Sequence, residues 1–486
     1  MYAYSLDSDY NPLNRISYFR NDVPFLKCCE EKLHVSNAFY GQVGDKSERT
    51  VGLMDNFEWL VRARFEYEEL RVNIFMMHRN KEGKWDLYFG RSELYPHDSE
   101  AQVMAYSIWV LRKLNIPLSN NYFILHYNHD YIRKEGEELN YDELIKVSHN
   151  FYNSHNKLSY EINTIVDQKE RDLSPILKEM RNMDVSTLQG KVRTSRCTRR
   201  YKCPFYDICW PREKLLPDNS ILHLVSSEHK YEMFEKGIRR LKDADPDLIE
   251  GTRQQYAQIR ADRRRGLYVD YLAMENYMES IRFPLYFMDF EWDTYAVPLY
   301  GGMRPFDVAL FQYSLHRLDE KDGELQHSEY IGVKDCRKEL LKHLLADIGT
   351  EGSIVTFNGV GAEEIRMREL AQLYPEYGRQ IENMIARMVD FSLPFAHGLI
   401  YHTKMRGLYS LKQIVEIFGK DNSYQNLDIS KAMNAVAEWR IMEAGVSEEE
   451  EAQIRKNLSA YCGMDTYSLY LVYNWFNELL EEHGHA

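Results

Sequence analysis

The chain lacks any run of eighteen apolar residues, the minimum for a helix that crosses a bilayer, and this excludes an ordinary membrane span. Met1 to Asn14 is polar and acidic, without the basic start and apolar centre of a secretory signal, so a cytoplasmic location is expected. No internal repeat or low-complexity tract is present. Net positive charge is also missing. The formal charge is −14, which at first speaks against a nucleic-acid partner. Distribution matters more than the sum, because phosphate contacts need only local patches. Residues 191–214 carry eight Lys or Arg against two acids, and residues 253–265 carry five Arg against one. The first patch includes Arg199, Arg200 and Lys202. The second is balanced between a contact surface and a solvated helix face.

Cysteines are few, seven in 486 residues, and unevenly spread. Cys197, Cys203 and Cys209 recur at six-residue intervals, and Cys28 and Cys29 stand far upstream. The spacing does not suit a zinc finger, whose ligands come in pairs two to four apart. In a reducing cytoplasm such a group reads as a metal site before a disulfide set. Cys336 and Cys462 read as small apolar core residues.

What is present is an ordinary globular composition, 44% hydrophobic and 28% charged, at a length that predicts at least two domains. The most informative segment is Leu285-Tyr286-Phe287-Met288 followed by Asp289-Phe290-Glu291. Residues two apart on a strand share a face, so Asp289 and Glu291 project together beside a buried flank. Paired carboxylates repel unless a cation lies between them, and hard oxygen donors suit magnesium or manganese. Gly352 to Phe357 reads as a further strand broken at Asn358, after which Glu363 and Glu364 open a helix to about Leu373. Arg387 to Phe391 reads as another strand and carries Asp390. In a late helix spanning Glu448 to Leu480, Tyr461 and Asp465 lie four apart on one face.

This order of an acid pair on a strand, an acid after a strand-turn, and Tyr-x-x-x-Asp on a late helix resembles the DnaQ-like exonucleases of the RNase H-like superfamily. The likeness is to the subclass with tyrosine in its last motif. The longer contexts Phe287 to Glu291 and Tyr409-Ser410-Leu411-Lys412 look similar to an uncharacterised bacterial family. That family fuses a RecB-like nuclease module to a DnaQ-like domain, and the likeness runs over nearly the whole chain. The resemblance implies an α/β fold in three parts. Residues 1–212 would form a PD-(D/E)XK RecB-like module, 213–280 a mainly helical connector, and 281–486 an RNase H-like domain with a mixed sheet flanked by helices.

It further implies a metal-dependent 3′–5′ exonuclease acting on DNA or RNA. Asp289, Glu291, Glu363 and Asp465 would hold two Mg2+ or Mn2+ ions, and Tyr461 would orient or help deprotonate the attacking water. The middle acid of the family falls on Ala362 here. Glu363, one residue later, is taken in its place, with Glu364 as the alternative. Asn358 and Lys412 would touch substrate or support the site.

In the front module, the hairpin of Leu70 to Met77 and Trp85 to Phe89 and the helix carrying Gln102 to Tyr106 match the RecB-like frame. The reactive positions fall on Phe75, Phe89 and Arg91, so this module has lost its own site. Its cysteines resemble the iron–sulfur staple of CRISPR-associated and AddB-type relatives. By that likeness Cys29 (or Cys28), Cys197, Cys203 and Cys209 would hold a four-iron four-sulfur cluster, with zinc as the alternative. Having lost one site, the chain could have lost both. A catalytically inactive nucleic-acid-binding or assembly protein is therefore the second reading.

Overall fold

The computed structural model describes residues 22–182, 206, 215–419 and 432–484, in two compact units. The first comprises Met1–Gly190 with Thr294–Asp307, and the second Lys191–Asp293 with Val308–Ala486.

In the first unit β1 (Ala38–Tyr40), β2 (Trp59–Tyr67), β3 (Leu70–Arg79), β4 (Trp85–Arg91), β5 (Leu118–Tyr127) and β6 (Ile145–Ser148) form one mixed sheet in that order. β3 and β4 are the antiparallel hairpin the sequence predicts, pairing Met76 with Tyr88 and Arg79 with Trp85. Asn80 sets the turn, its Oδ1 accepting from the backbone N–H of Glu82 and Lys84, and Gly83 takes a left-handed φ of 75°. Helix α1 (Asp22–Leu33) contributes Phe25 and Cys29 to one core cluster, with Trp59, Val61 and Met76. Helix α2 (Ala101–Lys113) contributes Met104 and Ile108 to the other, with Phe65, Ile74 and Leu87. A small hairpin, β7 (Asn150–Tyr152) with β8 (Leu158–Glu161), completes the described strands of this unit.

The second unit includes α3 (Arg253–Arg263) and β9 (Leu267–Val269). Its central sheet holds β10 (Leu285–Thr294), β11 (Val308–Leu318), β12 (Gln326–Ile331), β13 (Ser353–Thr356) and β14 (Met388–Asp390), in the order β12-β11-β10-β13-β14. β10, β13 and β14 run parallel, and β11 is antiparallel to β12. A strand β15 (Ile400–His402) pairs with β9.

Period-2 alternation in β10 decides what each side of this sheet buries. Tyr286, Met288 and Phe290 join a core with helices α4 (Arg337–Asp347) and α5 (Glu363–Leu373) through Leu340, Leu344 and Met367. Leu285 and Phe287 join the opposite core with α6 (Leu411–Phe418) and α8 (Glu448–Gly484) through Ile414, Leu469 and Phe476. Full burial of each such side chain contributes roughly 1.5–3 kcal/mol. Helix α7 (Ala432–Glu443) precedes α8, its Trp439 stacking on Phe311 at 4.5 Å and donating from Nε1 to Gly332 O at 2.8 Å. Four glutamates open α8. Ser447 and Glu450 exchange side-chain-to-backbone hydrogen bonds there, a capping box that favours acids at the positive helix end.

The segment expected as a connector folds into the second unit, with a small core of its own around Ile221, Leu224, Met233 and Leu241. Gln258 of α3 ties it to the pair β9–β15, donating from Nε2 to His223 O at 2.8 Å and to the Tyr401 hydroxyl at 3.0 Å. Residues 294–307, read from sequence as part of the C-terminal domain, belong to the first unit. Among the described residues, no helix is long and apolar enough to cross a membrane.

Candidate active site

Leu285, Phe287, Asp289, Glu291 and Asp293 share the face of β10 that α8 covers, so one strand face runs from apolar to acidic along its length. Parallel pairing brings the C-terminal ends of β10 and β13 to the same sheet edge. Beyond β13 the chain turns sharply. Asn358 adopts a left-handed φ of 63°, which asparagine tolerates, and Gly359–Gly361 form a single 3-10 turn. At Gly359 a Cβ would lie 2.0 Å from Thr356 Oγ1, so only glycine fits this turn. The turn ends at Ala362, with φ −132° and ψ −84°, and Glu363 is the first residue of α5.

Asp390 fixes that turn. Its Oδ1 accepts from the backbone N–H of Asn358 at 2.8 Å and of Ser392 at 2.9 Å. It therefore acts through the backbone that presents Glu363.

Glu363 is 3% exposed, and its side chain is hydrogen-bonded with Asp289. Burial pushes Glu363 up to about 7, against a hydrogen bond from its own backbone N–H. Asp289 is held well above the usual carboxylate range by burial and then by the charge of Glu363. Glu291 is raised by burial and then by Asp289, Asp465 and Glu363, so all four acids meet at this edge. Tyr461 faces the same group: burial, then Asp465, Glu291 and Asp289, drive its hydroxyl far above the usual phenol range. Two carboxylates this close share a proton unless a cation replaces it. Glu364, by contrast, turns outward and takes Arg368 at 2.7 Å. Of the two, Glu363 is the one whose side chain meets Asp289.

The cluster offers donor atoms that could hold a cation. Glu363 Oε2 is buried and has no hydrogen-bond partner among the described residues, a costly state for a carboxylate oxygen. One ligand atom each from Asp289, Glu291 and Cys462 lie within 4.8 Å of one another. Cys462 was read from sequence as a core residue. It is fully buried, yet its Sγ lies 3.8 Å from Asp289 Oδ2. The signal was its place three residues before Asp465 in a helix, which puts it on the same face.

Asn358 is held by its backbone as described, and Lys412 sits half-buried on the first turn of α6, behind the Ser410 cap. The Arg-rich helix α3 is largely engaged within its own unit. Arg253 pairs with Asp270 at 2.6 Å, Arg260 reaches the Tyr268 hydroxyl at 3.1 Å, and Arg264 lies over the Tyr268 ring. Cys197, Cys203, Cys209, Arg199, Arg200 and Lys202 lie outside the described residues. Cys28 and Cys29 are both buried in α1, and burial raises both thiols above their usual range. In the front sheet Phe75 packs 5.6 Å from Phe25 and against Gly90, Phe89 is 7% exposed, and Arg91 pairs with Glu100.

The second unit is thus an α/β domain with an acidic cluster at one sheet edge. A family model described as a domain of unknown function (DUF2779) matches residues 286–410, a span that holds Asp289, Glu291, Asn358, Glu363 and Asp390. No curated protein and no solved structure matches the chain.

Proposed function

We propose that this chain is a metal-dependent 3′–5′ exonuclease that hydrolyses phosphodiester bonds of DNA or RNA. In this reading the second unit is an RNase H-like, DnaQ-like domain and the first a RecB-like module without its own reactive groups. The observation that carries it is the convergence of Asp289, Glu291, Glu363 and Asp465, from three separate elements, on one edge with Tyr461. Hard oxygen donors in this number suit Mg2+ or Mn2+, and the orphaned Glu363 Oε2 gives a bound ion a waiting ligand. When bound, two such ions would activate a water for in-line attack on the phosphodiester and stabilise the leaving oxygen.

The side chains do the rest. Asp289 and Glu291 hold a fixed separation because both stand on one pleated strand. Glu363 is aimed by the Gly359 turn and Asp390. Burial and the neighbouring acids hold the Tyr461 hydroxyl far above the usual phenol range in the metal-free chain, and it would orient the attacking water by hydrogen bonding. Polarity and substrate class rest on the resemblance. A four-iron cluster on Cys29, Cys197, Cys203 and Cys209 remains part of the proposal, and a brown chromophore lost in Cys203→Ser is its test.

The nuclease reading is tested with a 3′-end-labelled oligonucleotide, DNA or RNA, and Mg2+ or Mn2+. Wild-type chain should shorten it and Asp289→Ala should not. Equal loss with both proteins would expose a contaminating nuclease and favour a non-catalytic binder.

A further inference from the structure

Cys462 lies in the acidic cluster, yet the exonuclease reading gives it no task. Its position is set by α8, whose register against the sheet is fixed independently. Gln312 Nε2 donates to Leu458 O at 3.0 Å, and Thr466 Oγ1 exchanges hydrogen bonds with Ser314 Oγ at 2.9 Å and His316 Nδ1 at 2.7 Å. These contacts lie one turn to either side of Cys462 and hold it against β10 and β11. Its thiol faces a carboxylate where a core cysteine would face hydrocarbon.

The separations suit a shared ion. A tetrahedral centre with metal–sulfur and metal–oxygen bonds of about 2.3 and 2.1 Å places those donors about 3.6 Å apart. The Cys462 Sγ to Asp289 Oδ2 distance is 3.8 Å, and Glu291 completes a triad within 4.8 Å. Glu363, whose side chain meets Asp289, has a buried oxygen, Oε2, without a hydrogen-bond partner among the described residues.

We propose that Cys462 is a ligand of the cation held by Asp289 and Glu291, which makes this a mixed oxygen–sulfur centre that takes a thiophilic divalent ion of the zinc type in preference to magnesium. The inference rests on the metal reading of the site and deepens it. Carboxylates alone favour hard ions, and one sulfur donor shifts the balance toward softer ones. On binding, the Sγ–H bond gives way to a sulfur–metal bond and the proton leaves to the buffer. The same sulfur explains why a cysteine, and not a larger apolar residue, fills a fully buried position beside two acids.

The test uses the full chain and cadmium, whose bond to sulfur gives an ultraviolet charge-transfer band. Other cysteines also bind cadmium, so the readout is the increment that distinguishes variants. Wild type should show one thiolate increment that Cys462→Ser and Asp289→Asn both lack. Loss of even an outer partner of a metal ligand costs roughly 10–100-fold in affinity, so Cys462→Ser should weaken cadmium or zinc at this centre by at least ~10-fold in calorimetry. Magnesium binding should fall far less than zinc binding, because sulfur is a poor ligand for so hard an ion. A full cadmium band and unaltered zinc affinity in Cys462→Ser would overturn the proposal. Cadmium NMR of the wild-type chain needs no variant and guards against misfolding. It should show a resonance for a mixed oxygen–sulfur site, and only all-sulfur signals would refute the assignment. Cadmium held through Cys462 in a chain that degrades no nucleic acid would keep this inference and remove the nuclease. Magnesium-driven degradation with Cys462→Ser indifferent to zinc would do the reverse.

Discussion

Replacing Glu363 with glutamine should make the metal-free protein more stable at alkaline pH, although the residue sits at the centre of the proposed active site. The sign follows from the direction of its shift. A carboxyl whose native pKa is raised keeps a proton that the unfolded chain has already released. Its contribution is present in full below the unfolded value and is lost as pH rises through the native one. For Glu363 the window runs from 4.5 to about 7. At 1.36 kcal/mol per unit, this amounts to about 3 kcal/mol lost across that window from this group. Asp289 and Glu291 are shifted in the same direction and add to the loss. The amide introduced by Glu363→Gln has no proton to lose in this range, so the variant's pH profile should be flatter by about 3 kcal/mol. The assay is urea unfolding in chelator at about pH 5 and about pH 8, with wild type compared against Glu363→Gln. The two-unit chain has no single unfolding free energy, and the readout is the difference between the proteins in the transition of the second unit. Divalent ion at ~100 times its dissociation constant should restore about 2.7 kcal/mol to wild type at the higher pH, and less to the variant. Parallel pH profiles, or a wild type that gains stability on going alkaline without metal, would refute the electrostatic account of this cluster.

Two further outcomes separate the neighbours of Glu363 from Glu363 itself. Glu364→Gln removes only a helical ion pair with Arg368, and should cost under ~0.5 kcal/mol and leave degradation of the labelled oligonucleotide intact. If it silences degradation as Glu363→Gln does, the middle acid has been misassigned. Asp390→Ala leaves the N–H groups of Asn358 and Ser392 without their acceptor, and should cost roughly 1–3 kcal/mol in thermal unfolding of the second unit. Asp390→Asn keeps an acceptor oxygen and should recover part of that loss.

Much of the second unit was legible because its signals are local. The run Leu285 to Met288 announces a buried strand, and the four-residue spacing of Tyr461 and Asp465 announces a shared helix face. The choice between Glu363 and Glu364 was not legible, since it depends on how many residues the Asn358 turn consumes and on the dihedrals of Ala362. Cys462 is the core residue expected of it, but its nearness to Asp289 was not legible, for a different reason. Cysteine is buried whether it packs or ligates, and its neighbour Asp289 lies 173 positions away. For the second basic patch, charge counting could not tell a contact surface from a structural one. The answer lay in partners such as Tyr268 and Asp270, whose reach is fixed only once α3 packs beside β9.

Asp293 supplies the internal comparison that gives the cluster its meaning. It stands on the same strand face as Asp289 and Glu291 and is 4% exposed against 7% for Glu291, so burial alone cannot distinguish those two. Arg440, on α7, meets its carboxylate with both Nε and Nη2, the bidentate solution that protein interiors use to neutralise an acid permanently. The fold therefore can deliver a guanidinium to this face. Two and four residues earlier it delivers instead a tyrosine hydroxyl, a thiol and two more acids, with no Lys or Arg in ion-pair contact with Asp289 or Glu291 among the described residues. Leaving such charges uncompensated costs several kcal/mol per ion. A single proton shared between Asp289 and Glu363 relieves only part of that cost. A strand that answers one carboxylate with arginine and denies it to the next two keeps their negative charge available to a positive ion from outside the chain.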